Sequence, residues 1–103
     1  IMKEEPFGPL VPILTFKTFD EVIERANDND LGLCSYLYTN SMDKAHIGSE
    51  KLESGCVAVN TGVVAIAEAP FGGIKQTGYG REGGSGAIKD YLNVKYTHMG
   101  LKI

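Results

Sequence analysis

The sequence has no tryptophan, only two cysteines and two histidines, and no long apolar run. A membrane-spanning helix needs about 20 consecutive apolar residues, so we expect no membrane contact. Ten scattered basic residues are outnumbered by thirteen acidic ones, which leaves no basic stripe for a nucleic acid. His46 and His98 have no neighbours at metal-ligand spacing, so we expect no metal site.

A recognisable signal peptide is also missing from the start. At 103 residues the chain is one domain or part of one. Because it opens on Ile1-Met2 in the manner of an internal segment, we expect a piece of a larger protein. Any targeting segment would precede Ile1, and we expect a cytoplasmic location.

Each of the two cysteines, Cys34 and Cys56, lies inside a short apolar run. Neither belongs to a CxxC pair or to the dense cysteine framework of a small secreted protein. We favour the interpretation that both are small buried thiols. The alternative is that one of them is a nucleophile or a metal ligand.

Three apolar runs predict strands. Residues 33–38 and 56–59 are apolar on both faces, as in strands covered on two sides of a sheet. Residues 10–16 predict a further strand, at an edge or a bulge, because Pro12 lacks a backbone donor.

Helix signals separate these runs. Thr18 and Glu21 form a capping box, and the expected buried stripe comprises Phe19, Val22, Ile23 and Ala26. Ser41 caps a second helix that we expect to end at Gly55. Alternating strands and helices predict an α/β fold with a parallel sheet.

Residues 93–101 alternate in polarity and predict a terminal strand after a short helical stretch at 87–92. An unpaired strand edge is a template for another chain. We therefore divide the chain into residues 1–92 and a terminal oligomerisation strand at 93–103. Pairing of that strand within its own subunit stays open.

A glycine-rich stretch at 70–86 contains seven of the thirteen glycines. Long glycine-rich loops in compact domains are usually functional. Residues 78–83 match GxGxxG, but they neither follow an apolar strand nor open a helix, so we reject a dinucleotide fingerprint. Residues 41–44 match SxxK, but helix capping accounts for Ser41.

The segment at 4–9 combines two carboxylates, an aromatic ring and two prolines. Proline restricts itself and the residue before it to extended conformations, so Glu5 and Phe7 can share one face. A carboxylate beside a ring suits a ligand with paired hydroxyls next to a flat heterocycle, such as a nucleotide. The alternative is a solvated acidic turn before a strand.

Taken together, these segments resemble the C-terminal end of the catalytic domain of the aldehyde dehydrogenase superfamily. The resemblance runs over essentially the whole chain, in blocks with a specific order and spacing. The blocks are EEPFGP at 4–9, Ala-Asn-Asp at 26–28, LGL at 31–33, GCVAVN at 55–60, PFGGIKQTGYGRE at 70–82 and YLNVKY at 91–96. Within the superfamily, residues 60–62, 81–83 and 95–96 are most similar to the succinate-semialdehyde dehydrogenases.

The resemblance implies oxidation of an aldehyde to an acid with NAD or NADP. In that chemistry a cysteine thiolate attacks the carbonyl, hydride passes to nicotinamide, and a glutamate-activated water hydrolyses the thioester. By the resemblance, Glu5 accepts hydrogen bonds from the nicotinamide-ribose hydroxyls, and Phe7 packs beside the nicotinamide. The nucleophile, the general base and the phosphate-binding segment have no counterpart here. They are implied to lie upstream, so this chain alone should be inactive.

Substrate contacts are implied for Ala65 and Phe71. The loop at 62–69 resembles the segment that lines the aldehyde entrance, and Ala65 stands where succinate-semialdehyde enzymes tend to have a serine. Losing that hydroxyl leaves other semialdehydes and hydroxyaldehydes open as substrates. Further implied partners are the rest of the polypeptide and identical subunits, in a homodimer or homotetramer.

Two rival hypotheses stay open. The chain could be a stand-alone small binding or assembly protein that keeps this piece of fold without catalysis. A flavin- or phosphate-binding module would depend on the glycine motif rejected above. An upstream reading frame containing the cysteine motif would distinguish the enzyme from the first rival.

Overall fold

The computed structural model describes residues 4–102. Residues 1–3 of the predicted segment 1–92, and residue 103 of the predicted segment 93–103, lie outside the described residues. The chain is elongated, with principal extents of 75 × 33 × 24 Å and a radius of gyration of 19.2 Å. A compact domain of this length has a radius of gyration of about 13 Å. Two arms without helix or strand, 4–17 and 93–102, precede and follow a small α/β core.

Helix α1, Phe19–Asn27, begins where the capping residues predict it. The Thr18 hydroxyl accepts a hydrogen bond from the Glu21 amide at 3.2 Å. The Glu21 carboxylate in turn accepts one from the Lys17 amide at 2.8 Å, so one amide that the helix start leaves unpaired, that of Glu21, and the amide of Lys17 before the cap are both satisfied. Ile23 is buried, whereas Ala26 is exposed, and the predicted stripe extends one residue too far.

Helix α2, Met42–Lys51, is capped by Ser41, whose hydroxyl accepts from the Lys44 amide at 3.3 Å. It ends at Lys51 rather than at Gly55, because Leu52 already has extended backbone geometry with ψ of 120°. Gly48 is the residue of α2 that is buried. A Cβ at that position would lie 2.5 Å from a methyl group of Leu37, so its absence lets the helix approach closely.

The predicted parallel strands are present. Strand β2, Cys34–Leu37, pairs in parallel with β3, Cys56–Val59, and α2 forms the connection between them. The Asn60 side chain ties their ends together, since its oxygen accepts from the Thr39 amide and its nitrogen donates to the Thr39 carbonyl at 2.8 and 2.9 Å. Ala58 is the most buried apolar residue of this pair, at 3% exposure.

A second, antiparallel pair was not predicted. Strand β1, Leu31–Gly32, pairs with β4, Ile74–Lys75. The Thr77 hydroxyl accepts from the Gly32 amide at 2.8 Å. The pair attaches the glycine-rich segment to the core.

The predicted strand at 10–16 is wrong for the described chain. Its residues are exposed and join no ladder, although the Arg25 guanidinium donates to the Thr15 carbonyl at 2.8 Å. Apolar character favours a strand, but a ladder also needs a neighbouring strand, and prolines in this arm remove backbone donors.

The terminal segment after the 3-10 helix Ala87–Tyr91 also joins no ladder within residues 4–102. The Tyr96 hydroxyl and His98 Nδ1 lie 3.3 Å apart. Side chains two residues apart share a face in an extended chain, but the predicted terminal strand is not formed among the described residues. Its pairing with another subunit stays a prediction.

No helix among residues 4–102 combines the length and the apolar character needed to cross a bilayer.

Candidate functional site

Phe71 is held by backbone hydrogen bonds to the segment that follows the glycine-rich turn. Phe71 and Glu82 form an antiparallel bridge, and each amide donates to the other's carbonyl at 2.7 Å. The side chain is half-buried. The backbone position of Phe71 is therefore set by contacts within the chain.

Arg81 closes the turn between those two residues. Its Nη1 donates to the carbonyls of Gly73 and Gly80 at 2.9 and 2.7 Å. The Asp90 carboxylate accepts from the Arg81 amide at 2.9 Å. Charge-assisted hydrogen bonds such as these are stronger than neutral ones, so Arg81 holds the loop in one conformation.

Two glycines allow backbone segments to meet behind Phe71. A Cβ on Gly55 would overlap the carbonyl oxygen of Gly72. Gly83 has φ of +67°, a conformation that residues with a side chain rarely adopt. Gly55 and Gly83 thus serve close packing and backbone conformation.

The loop that carries Ala65 is attached to the same segment as Phe71. The Gly84 amide donates to the Ala67 carbonyl at 2.8 Å, and Glu82 holds Phe71. Ala65 itself is exposed. Phe71 and the loop that carries Ala65 are therefore attached to nearby positions, Glu82 and Gly84, at the start of one turn.

An open groove of about 380 Å³ runs beside Phe71. Its lining includes Leu33, Arg81, Asp90 and Tyr91. A larger one of about 560 Å³, lined by Asn29, Asp30, Lys75, Gln76, Gly78 and Tyr79, contains none of the predicted site residues. The groove at Phe71 is therefore the candidate site within this chain.

Glu5 and Phe7 lie on the N-terminal arm, away from any such support. Glu5 is exposed, and the Phe7 ring is 94% exposed. The hydrogen bonds here are local turns, from the Gly8 amide to Pro6 at 3.0 Å and from Leu10 to Gly8 at 2.8 Å. The structure does not bring this pair to Phe71 through any bond among the described residues.

The same exposure means that both groups are open to a ligand. Among residues 4–102, no hydrogen bond occupies the Glu5 carboxylate, and an ionised carboxylate accepts from two hydroxyls at once. The exposed face of Phe7 can pack on a flat ring. These residue types therefore fit the ribose and nicotinamide of a dinucleotide.

A lysine-centred cluster was missed by sequence reasoning. Lys75 Nζ donates to the carbonyls of Asn27 and Asn29 at 2.9 and 3.0 Å and forms an ion pair with Glu53 at 2.5 Å. The Asn27 side chain also bonds to the Lys51 carbonyl and the Glu53 amide. Lys75 thus connects the glycine-rich block at 70–82 to the Ala-Asn-Asp block at 26–28. This connection is visible only in the folded chain.

Two titratable groups within residues 4–102 have clearly shifted pKa values. The Lys17 amide lowers the pKa of the exposed Glu21 carboxyl by donating to it. Burial raises the pKa of the Cys34 thiol, and the neighbouring Cys56 thiol adds to that shift. Neither group belongs to the groove at Phe71.

Sequence comparison relates the chain to several aldehyde dehydrogenases. It is 46% identical over 101 residues to an NADP-dependent succinate-semialdehyde dehydrogenase of Escherichia coli strain K12, covering 98% of this chain and 21% of that protein. It is 48% identical over 100 residues to a 3-sulfolactaldehyde dehydrogenase of Pseudomonas putida, covering 97% and 21%. It is 49% identical over 96 residues to a glutarate-semialdehyde dehydrogenase of Pseudomonas putida strain KT2440, covering 93% and 20%. The chain spans about a fifth of the length of these relatives.

Solved structures give the same result for the fold. An NADP-dependent enzyme of E. coli superposes with a TM-score of 0.91 at 47% identity, covering 97% of this chain and 21% of that one. An NAD+ complex of an aldehyde dehydrogenase from Bacillus cereus superposes with a TM-score of 0.86 at 46% identity, covering 90% and 19%. The α/β fold with a parallel pair is confirmed. Since the model of the aldehyde dehydrogenase family matches residues 1–97, the chain belongs to the aldehyde dehydrogenase family.

Proposed function

We propose that this chain supplies the nicotinamide-ribose contact and part of the aldehyde entrance of an NAD(P)-dependent aldehyde dehydrogenase. The proposed substrate is an aldehyde with an acidic group at its far end, succinate semialdehyde being the first choice. The observation that carries the proposal is the family match over residues 1–97, which includes the arm of Glu5 and the groove of Phe71.

Glu5 is proposed to accept hydrogen bonds from both hydroxyls of the nicotinamide ribose. Its carboxylate is exposed, and a charged acceptor forms stronger hydrogen bonds than a neutral one. Phe7 is proposed to pack beside the nicotinamide and limit its rotation, so that the hydride-accepting face is oriented towards the aldehyde. The cofactor supplies the hydride acceptor when bound, and these two residues only position it.

The groove at Phe71 is proposed to form one wall of the aldehyde entrance. The backbone of Phe71 is held by two hydrogen bonds to Glu82, so the ring is carried at a fixed position of the chain. Ala65, on the exposed loop at 62–69, is proposed to face the distal end of the substrate. An alanine there offers no hydroxyl donor, so the site does not select among acidic aldehydes through a hydrogen bond at this position.

The two arms are proposed to pack against further protein. Val11, Ile13, Val94 and Tyr96 are between 82% and 102% exposed, and apolar side chains gain roughly 1.5–3 kcal/mol each when fully buried. The rest of the same polypeptide is the proposed cover for residues 4–17. An identical subunit, in a dimer or tetramer, is proposed for residues 93–102.

The decisive test is an aldehyde panel on the full-length protein with NAD and with NADP. Succinate semialdehyde, glutarate semialdehyde and 3-sulfolactaldehyde should each give a higher kcat/KM than propionaldehyde, which lacks an acid group. An Ala65→Ser variant should raise kcat/KM for succinate semialdehyde by about tenfold, the equivalent of one hydrogen bond to a charged group. The isolated 103-residue chain should show no turnover.

Equal or better turnover of propionaldehyde would contradict the acidic-substrate proposal. If Ala65→Ser changed no substrate's kcat/KM, Ala65 would not face the substrate. Absence of NAD(P) reduction with every aldehyde would overturn the enzyme itself and favour a binding or assembly role.

A further inference from the structure

We propose that Cys34 and Cys56 form a reversible dithiol–disulfide site. The two residues are direct partners in the parallel ladder between β2 and β3. Residues paired across neighbouring strands project to the same face of the sheet, so their thiols meet on one side. Adjacent strands are about 4.8 Å apart, within the Cα separation of about 4.4–6.8 Å that a disulfide requires.

The surroundings of the pair agree with this geometry. Both cysteines are free and half-buried, and the neighbouring Cys56 thiol adds to the raised pKa of the Cys34 thiol. The Cys56 thiol also donates a weak hydrogen bond to the Gly72 carbonyl at 3.7 Å. No step of the proposed aldehyde chemistry uses either thiol.

A small disulfide such as oxidised glutathione is the proposed oxidant. One cysteine thiolate attacks a sulfur of the oxidant, forming a mixed disulfide and releasing one glutathione. The second cysteine then attacks the protein sulfur of that mixed disulfide and displaces the other glutathione. The two cysteines lose two electrons and two protons in total, and the oxidant is reduced to two thiols.

Oxidation would remove a contact next to the candidate substrate residue. Once Cys56 is in a disulfide it has no proton to donate, so the Gly72 carbonyl loses this hydrogen bond. Gly72 directly follows Phe71, and a change there can alter the groove. This consequence for catalysis rests on the proposed function, whereas formation of the disulfide does not.

The site is tested by mapping disulfides in the full-length protein after incubation with oxidised glutathione. Free thiols are blocked with iodoacetamide, and the protein is digested with trypsin without reduction. Cleavage at lysine and arginine places the two cysteines in separate peptides, 26–44 and 52–75. The expected product is these two peptides joined, two hydrogens lighter than their sum, and separated again by dithiothreitol.

Matched variants give the controls. In Cys34→Ser or Cys56→Ser protein the joined species should disappear. If the wild-type peptides instead stay alkylated, carry only separate glutathione adducts, or join to other cysteines, the proposal is overturned. Because this result is read from the wild-type protein, it stands even if a variant folds poorly.

The effect on the groove is tested by comparing wild type with Cys34→Ala, since both keep every other cysteine of the enzyme. After oxidation the aldehyde KM of the wild type should rise about fivefold relative to the variant, as expected for loss of one hydrogen bond. Joined peptides with equal KM values would overturn the coupling to Phe71. Absence of turnover in both untreated proteins would instead contradict the proposed function.

Discussion

The two parts of the candidate site differ in how they are held. Phe71 is bridged to Glu82 and backed by the Arg81 hydrogen bonds, whereas Glu5 and Phe7 lie on an exposed arm with only local turns. Both come from family-like blocks of the sequence. Local sequence therefore identifies both parts, but only one has its geometry fixed by this chain.

The glycine-rich segment and the N-terminal arm differ because they have different backbone partners within this chain. The glycine-rich segment finds partners in β1 and in its own turn, and close backbone approach is possible because Gly55 has no side chain. The N-terminal arm contains three prolines at 6, 9 and 12, which are stiff but lack backbone donors. Such an arm keeps its own shape while its position depends on the surface it meets.

The largest expected effect is on the stability of the part of the site around Phe71. Changing Gly55→Ala in the full-length protein should lower the free energy of unfolding by about 3 kcal/mol, because the new methyl group overlaps the Gly72 backbone and overpacking is costly. Thermal melting measures the loss. Gly62→Ala is the matched control, since a Cβ there meets no atom within 4 Å.

A melting temperature equal to that of Gly62→Ala would show that β3 and the glycine-rich segment are not packed as described. Phe71 would then be no better fixed by this chain than Glu5 and Phe7 are.

The next effect concerns the C-terminal arm. Deleting residues 93–102 should lower the sedimentation coefficient of the full-length protein, because an extended segment with unpaired backbone groups is proposed to join another subunit. Val94, which is fully exposed, offers a milder test, since Val94→Asp places a charge on the proposed contact face. Lys95→Ala, on the opposite face, is its control.

Unchanged sedimentation of the truncated protein would remove the subunit contact from residues 93–102. Pairing of the segment within its own subunit would then be the better interpretation.

A smaller effect is expected from a substitution in the N-terminal arm, and it should alter catalysis without altering stability. Glu5→Gln should lower kcat/KM for the cofactor about tenfold, because a neutral amide replaces a charged acceptor of two hydroxyls. The melting temperature should not change, since Glu5 is exposed. Glu4→Gln, at an equally exposed neighbour that points to the other face of an extended chain, should leave both quantities unaltered.

Identical cofactor kinetics in Glu5→Gln and wild type would exclude Glu5 from the ribose contact. A lower melting temperature without a kinetic change would mean that the arm is held by packing after all.

Sequence reasoning succeeded where the signal is local. Thr18 and Ser41 cap their helices as predicted, because a hydroxyl reaches an amide only three residues away. Strands β2 and β3 followed from runs that are apolar on both faces. Phe71 entered only through the family resemblance.

Sequence reasoning failed where a strand or a hydrogen bond depends on a residue far away in the sequence. The β1–β4 pair joins residues more than forty positions apart, and two-residue strands carry no periodic signal. The strand expected at 10–16 has the right composition but no neighbour among the described residues. The roles of Arg81 and Lys75 depend on carbonyls that only the folded chain brings within reach.

The smallest expected effect lies at the junction between the N-terminal arm and the core, where Glu21 accepts from the Lys17 amide. That hydrogen bond lowers the pKa of the Glu21 carboxyl below its usual value of 4.5. A carboxyl with a lowered pKa in the folded state stabilises the protein above its unfolded-state pKa, and this contribution is lost as the pH falls through the folded-state value. Glu21→Gln should therefore lower the melting temperature by about 1 °C at pH 7, with a difference from wild type that shrinks below about pH 4.5. Glu24→Gln, on the same helix, is the control, and a pH-independent difference for Glu21→Gln would show that the charge of Glu21 does not support the helix start.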